Sequence, residues 1–211
     1  MVPDLAPDLL TPLSTDRPME ELLNLTKGES YIKRKDENLN FISGIIIEQV
    51  SPENEKEAVE LIRKNFYNFE EAGSVLASTF IRMEKLLTSY SQSGARLFLA
   101  KIKATGTLVG CIGLGPLAGL PYEERIGEVR EFVIDQSSRG LGLGSHLLEL
   151  CLTEAKRLDY KRIYLSTTPQ MQHAQKLFVR FGFKPVIQQT KSPMPPSDVL
   201  PCYFVLEMAS Q

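Results

Sequence analysis

Residues 137–148 read SSRGLGLGSHLL, with glycines at 140, 142 and 144, Arg139 ahead of them and an apolar helical pattern directly behind. A glycine in a helix costs about 1 kcal/mol relative to alanine, so this cluster needs an offset. One offset is a tight turn. The other is a ligand that approaches the backbone more closely than a Cβ would allow. The flanks narrow the choice. GEVREFVID (127–135) has the pattern of a strand, and GSHLLELCLTEAKRLDY (144–160) that of an amphipathic helix. Strand, glycine loop, helix is the layout of an anion site, because the first amides of a helix are unpaired and its dipole favours negative charge there. Arg139 adds a positive charge at the same place. An unliganded turn is the alternative reading.

Two familiar phosphate loops do not fit. The Walker pattern ends in Gly-Lys-Ser/Thr, which this chain lacks. The dinucleotide fingerprint needs Gly-x-Gly-x-x-Gly and an acidic residue closing the next strand. Here the glycines alternate evenly, position 145 is Ser, and the next strand pattern ends in Thr167 and Thr168.

Working outward, FISGIIIEQV (41–50) reads as a strand and SPENEKEAVELIRKNF (51–66) as a helix. Ser51 is the expected cap, Pro52 the first helical residue, and Ala58, Leu61, Ile62 and Phe66 the apolar face. SVLASTFIRMEKLLTSY (74–90) predicts a second helix. ARLFLAKIKA and TLVGCIGLG, flanking Thr105-Gly106, predict a hairpin, followed by the breaker-rich loop PLAGLPYEERI (116–126). Beyond the glycine loop and its helix come a strand in KRIYLSTT (161–168), a helix in PQMQHAQKLFVRF (169–181) ended by Gly182, and strands in FKPVIQQT (183–190) and PCYFVLEMA (201–209). Strands and helices in this order predict an α/β (α+β) fold on a mixed sheet.

Composition bounds the partners. The chain has 211 residues and a net charge of -2, whereas a nucleic-acid footprint is normally basic. No apolar run approaches the roughly 20 residues that span a bilayer. The start carries Asp4, Asp8 and several prolines in place of a basic and then apolar stretch, so no signal peptide is expected. Cys111, Cys151 and Cys202 are scattered among apolar neighbours without metal spacing, which predicts buried thiols in a reducing cytoplasm and no metal site. Neither nucleic acid nor a membrane is an expected partner. Residues 1–40, punctuated by prolines and ending in a polar stretch, are expected to be a loosely ordered extension, with a short helix near MEELLNL (19–25), ahead of a domain at 41–211. Such an arm can pack on a second copy, which leaves a homodimer open.

Arg139-x-x-Gly142-x-Gly144, placed between a strand and a long helix, resembles the phosphate-binding signature of the GNAT superfamily of N-acetyltransferases. LSTTPQMQHAQKLFVRFGFKP (165–185) resembles the family's second signature through Ala174, Leu177-Phe178 and Gly182-Phe183. The resemblance follows element order over about residues 42–209 and is specific mainly from 126 to 186. It implies a mostly antiparallel central sheet of about seven strands flanked by helices, with a parallel pair at the acyl-CoA site.

The resemblance also implies a chemistry: transfer of an acetyl group from acetyl-CoA to a primary amine of a small molecule or peptide, by direct attack in a ternary complex without a metal. The amides of Gly140, Leu141, Gly142, Leu143, Gly144 and Ser145, with Arg139, would hold the pyrophosphate. Main-chain groups of Phe132, Val133 and Ile134 would hold the pantetheine arm. Glu128 matches the family's base, and Glu131 is the second candidate. Strand alternation puts Glu128, Arg130 and Phe132 on one face and Val129, Glu131 and Val133 on the other. Many members carry Tyr where this chain has Phe178, which has no proton to give. Tyr203 is then the candidate acid, with the hydroxyls of Ser166, Thr167 and Thr168 nearby. His146 and His173 read as solvated or packed side chains, and Glu123 and Glu124 as solvated carboxylates with a lesser case for drawing in a cationic amine. The rival reading prompted by Phe178 is an acyl-CoA-binding sensor with little turnover.

Overall fold

The computed structural model describes residues 40–66, 79, 81–186 and 202–208. The expected extension at 1–40 and the expected helix at 19–25 lie outside the described residues, apart from Asn40. In chain order the elements are β1 (Ile45–Gln49), α1 (Glu55–Phe66), α2 (Leu86–Tyr90), β2 (Arg96–Ile102), β3 (Leu108–Pro116), β4 (Ile126–Ile134), α3 (Leu143–Arg157), β5 (Arg162–Thr167), α4 (Gln172–Arg180), β6 (Lys184–Val186) and β7 (Cys202–Glu207). The strands form one seven-stranded sheet in the order β1-β2-β3-β4-β5-β7-β6. Every pairing is antiparallel except β4 with β5. This is the mixed, mostly antiparallel sheet expected from the sequence.

Two cores sandwich the sheet. On one face, Leu143, Leu147, Leu148, Cys151 and Ala155 of α3 and Phe178 of α4 pack on Val129, Ile163, Leu165 and Phe204. On the other, Ala58, Leu61 and Ile62 of α1 and Leu86 and Tyr90 of α2 pack on Leu97, Leu99, Cys111 and Val133. That second core contains no residue of β5, β6 or β7. Burying such side chains supplies roughly 25 cal/mol per Å² of apolar area removed from water, the main drive for this packing. The hairpin forms as expected: Gly106, at φ 71°, donates to Ile102 O (2.8 Å) and closes the turn.

Local boundaries depart from expectation in three places. The first strand begins at Ile45 rather than Phe41. Residues 40–43 make one helical turn that Gly44 ends by donating to Phe41 O (3.0 Å), with Ser43 Oγ donating to Asn40 O (2.7 Å). Helix α1 begins at Glu55, and Pro52 lies in the turn before it. The turn closes through Asn54, whose Oδ1 accepts from Ser51 N at 2.7 Å. The third concerns the 74–90 helix. Its described part is broken by a turn at Glu84–Lys85 that separates residues 81–83 from α2, and the rest lies outside the described residues.

Candidate active site

Strands β4 and β5 run side by side for three residue pairs only, Ile126–Arg162, Gly127–Ile163 and Glu128–Tyr164. Beyond Glu128 and Tyr164 they part, although β4 continues to Ile134 and β5 to Thr167. The result is a wedge in mid-sheet. Asp135 N donates to Val109 O of β3 at 2.8 Å, so by strand alternation the amides of Ile134 and Phe132 point the other way, into the wedge.

A bulge governs this stretch. Cys111 pairs with Val133 but Gly113 with Arg130, so Ile112 stands opposite two residues, Glu131 and Phe132. Glu131 takes φ 40°. The extra residue reverses the alternation beyond it. Glu128, Arg130, Glu131 and Val133 therefore face α1 and α2, while Val129, Phe132 and Ile134 face α3 and α4. The expected grouping of Phe132 with Glu128 and Arg130 does not hold, because simple alternation cannot register a bulge.

Above the wedge stands the glycine loop. Asp135 accepts from Ser137 N (3.1 Å) and opens a short 3-10 turn at Gln136–Ser138. Gly140 (φ 78°) and Gly142 (φ 84°) then occupy the left-handed region, and Gly142 precedes α3. The first amide in the helical ladder is that of His146, which donates to Gly142 O at 3.1 Å. The amides before it precede that ladder, and a helix start of this kind favours an anion. Gly144 is different. It is helical, and a Cβ there would meet only Leu177 Cδ2 (3.5 Å), Phe132 Cζ (3.7 Å) and Ile134 Cγ1 (3.9 Å), which is ordinary contact. Nothing in the protein requires glycine at 144. A side chain at this position would stand in the cleft between Phe132 and Leu177, toward the wide end of the wedge.

Glu128 Oε2 accepts from Arg130 Nε at 2.9 Å, and Arg130 Nη2 donates to Pro116 O. The guanidinium lies beside Gly115, where a Cβ would come within 2.6 Å of Nη1. Tyr203 stands opposite Ser166 in the β5–β7 register. Its hydroxyl is pushed above the usual phenol range by burial and then by the charge of Glu128. Glu131 is placed otherwise. It is buried, and its carboxylate accepts from Arg82 Nε (2.7 Å) and from Tyr90 Oη, so it faces protein rather than an incoming amine.

The remaining expected residues divide. Phe178 is buried against Phe132, Phe183 and Phe204, with ring centroids 6.1, 6.0 and 6.1 Å apart. Arg139 points away from the loop amides: its Nε donates to Ile134 O (3.0 Å) and its Nη2 to Asn65 Oδ1 (3.1 Å), tying the loop to α1. Thr167 and Thr168 are buried, with Thr167 Oγ1 against Met171 Sδ at 3.3 Å. His146 is half-buried and His173 exposed. Among the described residues no cluster of three or more His, Cys, Asp or Glu is gathered as for a metal. Sequence reasoning missed Arg180, which donates to Ser145 Oγ at 3.0 Å beside the start of α3, and the Arg82–Glu131–Tyr90 group. The glycines of GCIGLG were a usable signal, since glycine weakens a strand and often marks close approach of another group.

Residues 56–183 match the Acetyltransferase (GNAT) family, and the chain belongs to it. It is 30% identical over 102 residues to the uncharacterized N-acetyltransferase YjgM of Escherichia coli K12, covering 48% of this chain and 59% of that protein. It is 33% identical over 79 residues to the aminoalkylphosphonate N-acetyltransferase of Salmonella typhimurium LT2, covering 37% of this chain and 51% of that one. The chain thus spans little more than half the length of these curated relatives. Among solved structures, a GNAT-family acetyltransferase from Staphylococcus aureus Mu50 superposes with TM-score 0.62 at 24% identity, over 77% of this chain and 98% of that one. An acetyltransferase from Streptococcus agalactiae 2603 does so with TM-score 0.61 at 19% identity, over 78% and 99%. These two share the fold.

Proposed function

We propose that this protein is an acetyl-CoA-dependent N-acetyltransferase acting on a primary amine of a small molecule or peptide. The observation that carries this reading is the wedge between β4 and β5, which opens at Glu128 and ends beneath a helix start whose Gly144 serves no need of the fold. The loop amides from Gly140 to Ser145 fit a pyrophosphate, with Arg180 at their rim. The outward amides of Phe132 and Ile134 fit an extended arm that hydrogen-bonds as an added strand would.

The amine enters from the face that α3 and α4 leave open, where Glu128, Tyr164, Ser166 and Tyr203 stand. Glu128 accepts the proton the amine must lose. The amine nitrogen bonds to the thioester carbon as the carbon–sulfur bond breaks, and the amide of Phe132 or Ile134 is placed to polarise the carbonyl. Tyr203 is the candidate proton donor to the departing sulfur, Phe178 having no proton to give. With an unperturbed thiol pKa near roughly 8.5, the thiolate is a tolerable leaving group in any case. The aminoalkylphosphonate named for the Salmonella relative is a small amine, which favours that acceptor class here. We place the protein in a reducing cytoplasm, in keeping with free Cys111, Cys151 and Cys202.

The test is a panel of amines incubated with acetyl-CoA while free thiol is followed. Steady release that depends on one amine class supports the enzyme. Tight acetyl-CoA binding without release for any amine supports an acyl-CoA sensor, the reading Phe178 favours. Absence of acetyl-CoA binding overturns both.

A further inference from the structure

Glu131 is a non-glycine residue held at φ 40°, and such backbone persists only where the surroundings fix it. Three contacts fix this one. Arg82 Nε donates to Oε1 at 2.7 Å, Tyr90 Oη donates to Oε2, and Cys111 Sγ lies 3.1 Å from the backbone oxygen. Arg82 is steadied in turn by Thr79 Oγ1 at 3.3 Å. The site has been cleared for this: a Cβ at Gly113 would collide with the Tyr90 hydroxyl. Burying a guanidinium–carboxylate pair and a phenol gains little stability over apolar filling, so the geometry the group imposes is its distinguishing product.

That geometry is the bulge. One extra residue exchanges the two faces of everything beyond it. With the bulge in place, Phe132 and Ile134 turn toward α3 and α4, and their amides open into the wedge. Without it, that stretch of β4 would present the opposite faces.

We propose that Arg82, Glu131 and Tyr90 form a clamp that holds the β4 bulge and so aims the backbone of Phe132–Ile134 at the pantetheine arm of the donor. Arg82 and Tyr90 are then positioning residues for a ligand they do not touch. The inference rests on the acyl-CoA reading above.

The experiment compares two ligands by calorimetry on the full chain: coenzyme A, and adenosine 3′,5′-bisphosphate, which keeps the nucleoside, its 3′-phosphate and one of the two phosphates for the glycine loop but has no pantetheine. Glu131→Gln and Arg82→Gln should weaken coenzyme A by about tenfold or more and leave the bisphosphate within about twofold. Tyr90→Phe removes one hydroxyl and keeps the ion pair, so about a threefold loss of the same selective kind is expected. If the charge changes unfold the protein, Tyr90→Phe carries the test alone. Equal losses for both ligands, or unchanged coenzyme A affinity, would overturn the clamp as a donor-positioning device. Wild-type protein that bound neither ligand would overturn the acyl-CoA reading and the clamp's donor role with it.

Discussion

Glu128 and Glu131 are the same residue type three positions apart on one strand, and the fold gives them opposite surroundings. Glu128 sits where β4 and β5 begin to part, with Arg130 on one oxygen, whereas Glu131 is sealed between Arg82 and Tyr90. Glutamine at 128 keeps an oxygen for Arg130 but cannot accept the amine's proton. Glu128→Gln should therefore lower turnover on the order of 100-fold with coenzyme A affinity within about twofold, as read by steady-state kinetics and calorimetry. A wild-type rate would move the proton acceptor to solvent. Glu128's place on β4 was legible from the strand pattern, and the resemblance singled it out as the candidate base. Glu131's burial was not, since it depends on a bulge set by Gly113, Tyr90 and Arg82, all remote in sequence. Arg139 shows the same limit: its charge was legible, its direction toward Asn65 was not.

For whole elements the legible and illegible parts separate by range. The strands, α1, α3 and α4 were readable because each carries its own apolar period, with burial at Ala58, Leu61 and Ile62 as expected. What failed was decided by single local bonds, such as Asn54 to Ser51 N or Gly44 to Phe41 O. The start of α3 offers the sharpest test at this scale. Leucine at 144 is a far better helix former than glycine and would fill the cleft between Phe132 and Leu177. Gly144→Leu should thus melt no lower than wild type by calorimetry, yet bind coenzyme A at least about tenfold more weakly. Unchanged affinity would mean that the donor does not pass through that cleft.

Across the molecule, the C-terminal end of α1 is fastened to the loop that follows β4. Lys64 Nζ lies 3.0 Å from Asp135 Oδ1, and Asn65 accepts from Arg139. Hydrogen bonds from Ser137, then from Lys64, lower Asp135 from the usual carboxylate value of 3.8 to about 2. A carboxylate depressed on folding stabilises above its unfolded pKa, and that contribution fades as pH falls through the folded one. Asp135→Asn should therefore cost on the order of 1 kcal/mol at neutral pH, allowing for the exposure of Lys64. In urea unfolding the gap from wild type should hold down to about pH 4 and close toward pH 2. A gap independent of pH would show that the charge is not the cause. The short β4–β5 pairing has its own consequence at this scale. Strands β1 and β6 bound the sheet, but β4 past Glu128 and β5 past Tyr164 add a rim in its interior, with backbone donors and acceptors that no neighbouring strand satisfies. Such a rim is a template for any extended chain, including another molecule's loose strand. The proposed donor, lying in the gap, would complete the sheet, and occupancy would then guard the protein against its own aggregation.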